Sequence, residues 1–167
     1  GPTVTIVAAD PTATEAGTPP GTFTFTRTGP TTAALNVFYT IGGAATNGVD
    51  YPGIPGVVTI LPGDASVTLT ITPIDDAAVE GDEGVLLTLT PDAAYTVGAP
   101  STATVTITDD DFTPTVTIVA TDATATEAGP TSGTFTFTRS GAGGSINAAL
   151  NVFFTVGGAA SNGTDYQ

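Results

Sequence analysis

Threonine alternates with large apolar side chains at period two along much of this chain: Val4-Thr5-Ile6-Val7, Phe23-Thr24-Phe25-Thr26, Val67-Thr68-Leu69-Thr70-Ile71 and Val105-Thr106-Ile107. In an extended strand successive side chains point to opposite faces, so each segment presents one apolar face and one hydroxylated face. No window of useful length carries a helical period instead. β-branched Thr suits the solvent side of a pleated sheet. The interruptions are strong turn signals: Thr28-Gly29-Pro30, Gly42-Gly43, Asn47-Gly48, Leu61-Pro62-Gly63-Asp64 and Gly98-Ala99-Pro100. Between them lie seven predicted strands, near 3–9, 21–28, 34–41, 56–61, 65–73, 84–91 and 101–108. That count and spacing predict an all-β, immunoglobulin-like antiparallel β-sandwich with Greek-key connections. The expected core is Val4, Ile6, Phe23, Phe25, Leu35, Val37, Val58, Ile60, Val67, Leu69, Ile71, Leu87, Leu89, Val105 and Ile107.

The chain also repeats itself. Residues 3–27 match 115–139 at 20 of 25 positions, and 33–51 match 148–166 at 15 of 19, so 35 of 44 aligned residues are identical. A period this long indicates tandem domains rather than a solenoid of small repeats. Residues 1–112 are read as one complete sandwich and 113–167 as the N-terminal half of a second, near-identical one. Half a sandwich leaves an open edge and an exposed apolar face. Two expectations follow: the sequence is a window on a longer array, or the half domain is completed by a neighbouring chain through strand addition.

Of the 167 residues, 2 are basic, both Arg, against 16 acids, for a formal net charge of -14. With no His and no Cys, zinc, haem and copper sites, a His-based triad and a thiol nucleophile are excluded. Without a basic patch to neutralise phosphates, nucleic acid and anionic membrane are not expected partners. No apolar run is long enough for a transmembrane segment, and Gly1-Pro2-Thr3 does not open a signal peptide. Hydrophobic residues at 40% support a real core rather than a disordered acidic tail.

The acids are sorted along the chain. In a two-ended sandwich successive strands alternate direction, so the loops after the first, third and fifth strands share a pole with the end of the seventh. Asp10, Glu15, Asp50, Asp75, Asp76, Glu80, Asp82, Glu83, Asp109, Asp110 and Asp111 all fall there, leaving Asp64 and Asp92 at the other end. Two unit charges about 4 Å apart repel by about 4 kcal/mol at an effective dielectric of about 20. Crowded carboxylates must therefore protonate, splay or bind cations. The chain offers no Lys, and Arg27 lies on the second strand towards the opposite end. The cations must come from outside. All-oxygen ligands in excess, with Gly81 turning the chain between them, suit Ca²⁺ better than Mg²⁺ or a transition metal. The spacing is not that of an EF-hand, and Asp10 and Asp82 are read as rim charge or turn residues.

These residues resemble the Calx-beta domain of sodium–calcium exchangers, integrin β4 and many bacterial surface proteins. The pattern is Glu15-Ala-Gly, Gly48-Val-Asp50-Tyr51, Asp75-Asp76-Ala-Ala-Val-Glu80-Gly-Asp-Glu83 and Thr108-Asp109-Asp110-Asp111, covering the first copy and the opening half of the second. The resemblance implies that Glu15, Asp50, Asp75, Asp76, Glu80, Glu83, Asp109, Asp110 and Asp111 carry Ca²⁺, with a backbone carbonyl near Ala78 as a further ligand. Family members with a full set hold up to about four ions. The second copy retains Glu127 and Asp165 as a partial site.

The expected function is that of a Ca²⁺-stabilised structural or adhesive module, not an enzyme, in a repetitive extracellular, bacterial surface protein. Its expected partners are adjacent Calx-beta repeats or neighbouring protomers, in an array or a filament, and cell-surface or matrix ligands. A glycosidase with paired carboxylates would need an aromatic-lined cleft, and the chain has no Trp. A Ca²⁺-dependent glycan- or ligand-binding module and a Ca²⁺ sensor, as in the exchangers, are the alternatives. Asn162-Gly163-Thr164 fits a glycosylation acceptor, but the matching Asn47-Gly48-Val49 already serves as a turn. The 36 Thr could accept O-linked sugar, although strand alternation accounts for them.

Overall fold

The computed structural model describes residues 1–141 and 148–167. Eleven strands and no helix form among them. In the first copy these are β1 (Thr3–Asp10), β2 (Thr12–Thr14), β3 (Gly21–Thr28), β4 (Leu35–Gly42), β5 (Val57–Ile60), β6 (Ser66–Ile71), β7 (Glu83–Leu89), β8 (Thr96–Val97) and β9 (Thr102–Thr108). They make two sheets, one in the order β6-β3-β1-β8 and one in the order β2-β9-β7-β4-β5. Each of the seven predicted strands lies within two residues of an observed one. The alternation works as the pattern demands. Along β3, Gly21, Phe23, Phe25 and Arg27 are buried while the Thr residues between them are part-exposed.

Two short strands, β2 and β8, go beyond the seven expected, and both pair in parallel, β2 with β9 and β8 with β1. The ladder is therefore not wholly antiparallel. β2 arises because β1 bulges between Ala8 and Asp10. A bulge bends its strand, and at Pro11 the chain leaves one sheet to join the edge of the other. This crossing, invisible to a period-two pattern, sets Glu15 beside the end of β9.

The core holds twelve of the fifteen expected residues as fully buried, and Val58, Val67 and Leu69 pack against it part-buried. It also contains Ala13, Tyr39, Ala45, Tyr51, Val85 and Tyr95. At the end of the sandwich away from the acids, Arg27 is 3% exposed. It donates to four carbonyls, those of Asp64, Ala33, Thr31 and Leu61, at 2.7–3.0 Å. A buried guanidinium held only by backbone oxygens ties two turns together without a carboxylate partner.

In the second copy β10 (Thr115–Asp122) and β11 (Thr134–Ser140) form a hairpin whose register repeats that of β1 with β3, including the bulge, here between Ala120 and Asp122. Residues 150–157, which correspond to β4, form no strand. Their counterpart is held by ladders to β5 and β7. The loop between β11 and this segment lies outside the described residues.

Candidate metal centre

Four segments deliver carboxylates to one pole. The β1–β3 connection brings Glu15, anchored where its N–H donates to the Thr108 carbonyl at 3.1 Å. The β4–β5 connection brings Asp50, whose Oδ2 accepts from the Thr46 N–H at 2.5 Å and whose carbonyl accepts from the Ile74 N–H at 2.9 Å. That second bond ties this loop to the β6–β7 connection, the source of Asp75, Asp76 and Glu80, with Glu83 opening β7. The last three, Asp109, Asp110 and Asp111, follow β9 directly.

Within the pole the oxygens gather in three groups whose ligand atoms lie within 4.8 Å of one another: Glu15, Asp75 and Asp110; Glu15, Asp76 and Asp111; and Asp50, Glu80 and Glu83. Eight of the nine expected ligands of the first copy are thereby brought together. Asp109 is the exception, because its carboxylate is turned onto the backbone. Its Oδ2 accepts from the Glu80 and Gly81 N–H groups at 2.7 and 2.6 Å, and its Oδ1 from the Asp111 N–H at 2.8 Å. Gly81 turns there at a φ of 78°, a left-handed conformation that favours glycine. Asp109 thus fixes the β6–β7 loop against the end of β9. Asp82, read from sequence as a turn or rim residue, assists by accepting the Asp109 N–H at 3.3 Å.

The electrostatics follow from the crowding. Burial, reinforced by Asp109, Asp76, Glu80 and Asp110, raises the Glu15 carboxyl to about 7. Burial and the nearby Asp50 raise Glu83, and burial with Asp50, Asp76 and Asp109 raises Glu80. Burial alone would raise Asp109 as well, but the N–H donors of Gly81, Asp111 and Glu80 outweigh it and hold that carboxyl below the ordinary value. Asp111 is 2% exposed, yet neither of its carboxylate oxygens has a hydrogen-bond partner, and Asp110 Oδ1 is buried in the same condition. Most buried polar atoms in native proteins are satisfied; here the Tyr39 and Tyr51 hydroxyls are the others without a partner among the described residues. An all-oxygen donor set with orphaned buried carboxylate oxygens fits a hard divalent cation such as Ca²⁺.

Sequence reasoning assigned no role to Tyr51 beyond its place in the motif. Its ring is fully buried, and Asn47, bridged to it, clamps the loop by bonding both the N–H and the carbonyl of Ile54. In the second copy Asp165 repeats the local turn, accepting from the Ser161 N–H at 2.7 Å, whereas Glu127 is exposed. No carboxylate triad forms there among the described residues.

The fold and the pole together define an all-β sandwich whose loops concentrate carboxylates at one end. A family model described as the Calx-beta domain matches residues 21–111, more than half of the chain, and the chain belongs to that family. Among solved structures, the apo form of the Calx CBD1 domain is 27% identical with a TM-score of 0.54, over 66% of this chain and 98% of that one. CBD12 from CALX1.2 is 26% identical with a TM-score of 0.53, over 65% of this chain and 45% of that one. The calcium binding domain CBD12 of CALX1.1 is 28% identical with a TM-score of 0.52, over 64% and 44%. This chain therefore spans less than half the length of the CBD12 chains it matches. No curated protein sequence matches it.

Proposed function

We propose that the chain is a Ca²⁺-binding structural or adhesive module of a repetitive extracellular protein, in which ions at the acidic pole stiffen the passage from one repeat to the next. The observation that carries this reading is Asp111. Its buried, unpartnered carboxylate lies with Glu15 and Asp76 in one oxygen cluster. It is also the last residue before Phe112-Thr113-Pro114, which leads into β10. A cation held there by residues of the first sandwich would order the segment that joins the two copies. The chain's own residues supply two things: carboxylate oxygens and the Asp109 brace that positions the β6–β7 loop. Bound Ca²⁺ supplies the charge that cancels their mutual repulsion.

The residue set given above, Glu15, Asp50, Asp75, Asp76, Glu80, Glu83, Asp110 and Asp111, is proposed as the ligand set, with Asp109 as its positioning residue. The test is a thermal melt in Ca²⁺, in Mg²⁺ and in chelator. Ligand linkage gives about 2.7 kcal/mol of stabilisation per independent site at a hundredfold excess over Kd. A large rise confined to Ca²⁺ is expected, and identical melts would sink the proposal. A midpoint near 10⁻⁴–10⁻³ M fits an extracellular scaffold, whereas one near 10⁻⁷–10⁻⁵ M fits a sensor.

A further inference from the structure

We propose that Asn162 is a site of spontaneous deamidation, and that the matching Asn47 is shielded from the same reaction by a clamp on its side chain. The inference involves no cation and stands apart from the calcium reading. In an Asn-Gly pair the glycine nitrogen, unhindered by a side chain of its own, attacks the Asn Cγ. A nitrogen–carbon bond forms there. The side-chain amide leaves as ammonia, taking the proton of that backbone nitrogen, and a succinimide ring remains. Water then opens the ring at either carbonyl to give aspartate or isoaspartate, with no oxidant or reductant involved. Asn47-Gly48 and Asn162-Gly163 are the two Asn-Gly pairs in the chain.

The two sites form a matched pair. Thr46-Asn47-Gly48-Val49-Asp50-Tyr51 corresponds to Ser161-Asn162-Gly163-Thr164-Asp165-Tyr166. Each loop is closed by a bridge, Asn47 with Tyr51 and Asn162 with Tyr166. Gly48 and Gly163 have φ values of 85° and 82°, a left-handed conformation that suits glycine. The attacking nitrogens are held alike: the Gly48 N–H donates to the Tyr51 carbonyl at 3.0 Å and the Gly163 N–H to the Tyr166 carbonyl at 2.7 Å. Both loops also carry the same cap, with Asp50 Oδ2 accepting the Thr46 N–H and Asp165 Oδ2 the Ser161 N–H. Backbone shape and nucleophile are therefore common to both.

The sites differ at the carbon that is attacked. Asn47 donates through Nδ2 to the Ile54 carbonyl at 3.1 Å and accepts at Oδ1 from the Ile54 N–H at 2.9 Å. Its Cγ cannot swing onto the Gly48 nitrogen without breaking two hydrogen bonds. The Asn162 side chain has no hydrogen bond among the described residues. The anchors differ as well, because Tyr51 is fully buried whereas Tyr166 is 40% exposed. A loop seated on an exposed ring opens more readily, which frees the Gly163 N–H for reaction. Conversion places a carboxylate three residues before Asp165, and the isoaspartyl product lengthens the backbone inside the turn that Asp165 caps. The second copy's loop therefore changes charge and shape with age while the first copy's loop keeps both.

The experiment ages the full chain in mildly alkaline buffer, folded and in guanidinium chloride, and follows each site by mass spectrometry after trypsin. Cleavage at Arg27 and Arg139 puts Asn47 in the peptide 28–139 and Asn162 in the peptide 140–167. In the folded chain Asn162 should convert faster than Asn47 by about tenfold or more, since two hydrogen bonds must break at the slower site. In denaturant the two rates should converge, because local sequence alone then governs them. Ile54→Pro removes the N–H that Asn47 Oδ1 accepts, and should speed Asn47 by about threefold or more in protein that still melts cooperatively. Equal rates in the folded chain, no conversion of Asn162, or a gap as wide in denaturant overturns the proposal. An unchanged Asn47 rate in folded Ile54→Pro overturns the clamp.

Discussion

Asp111 and Glu15 carry the least comfortable charges in the molecule, and each yields a measurable consequence. Asp111→Asn keeps the shape and removes the buried charge. The variant should be as stable as the parent in chelator, or more so, because an unpaired buried carboxylate is costly. In Ca²⁺ it should lose about 2.7 kcal/mol of the stabilisation seen at a hundredfold excess over Kd. Paired melts of parent and variant decide this. Glu15 predicts the pH dependence. Its folded carboxyl titrates near 7, above its ordinary value. Between those two values the folded state holds the proton more tightly than the unfolded state, so the stability from this group is present at low pH and lost as pH rises. The metal-free protein should therefore melt lower at about pH 8 than at about pH 5. In saturating Ca²⁺ that decline should shrink or reverse, because the ion binds the deprotonated form. A flat metal-free profile would contradict the crowding described for the pole.

At the scale of elements, the two ends of the sandwich are held by different devices and should fail independently. Arg27→Met removes four charge-assisted donors to the turns before β4 and between β5 and β6. It should cost about 3 kcal/mol or more yet leave the Ca²⁺ increment intact, since the cation pole lies at the other end. Denaturant melts with and without Ca²⁺ separate the two effects. Gly43, just past β4, has a φ of 98°, and an added Cβ would overlap the Gly84 carbonyl oxygen at the start of β7. Gly43→Ala should therefore destabilise the β4–β7 pairing that carries Asp50 and Glu83, and it should lower Ca²⁺ affinity along with stability. Equal affinity in a folded variant would show that the pole does not depend on this pairing.

Across the whole molecule, the acids crowd one end of the first sandwich and the second copy begins a few residues beyond them. Hydrogen exchange of the Phe112, Thr113 and Thr115 amides should slow by about tenfold or more on adding Ca²⁺, if the ion orders the junction. Exchange that slows only inside the first sandwich would confine the ions to that domain. The second copy repeats the strand pattern. Its face residues Val116, Ile118, Phe135 and Phe137 are 37–71% exposed, whereas Val4, Ile6, Phe23 and Phe25, their equivalents, are fully buried. Phe137 nonetheless keeps a tilted contact with Phe154 at 5.3 Å, as Phe25 does with Tyr39. The same ring pairing thus recurs in both copies.

What the sequence determined by itself was whatever local periodicity and charge sorting encode. A two-residue period reports which face of a strand is apolar, and so the seven main strands and most of the core were legible in it. Turn residues reported loop positions, and the loop positions placed eleven acids at one end. The tertiary structure decided what depends on contact between distant segments. β2 and β8 owe their existence to parallel partners, β9 and β1, about ninety residues away. The burial of Arg27, Tyr51 and Asp111 comes from segments that fold over them, which no residue type announces. The division of labour at the pole is of the same kind. Asp109 and Asp110 are adjacent and chemically alike, yet one braces a loop and the other faces the cluster. The Glu80 and Gly81 N–H groups, brought from another segment to join that of Asp111, distinguish them, and their direction is set when the sheets close.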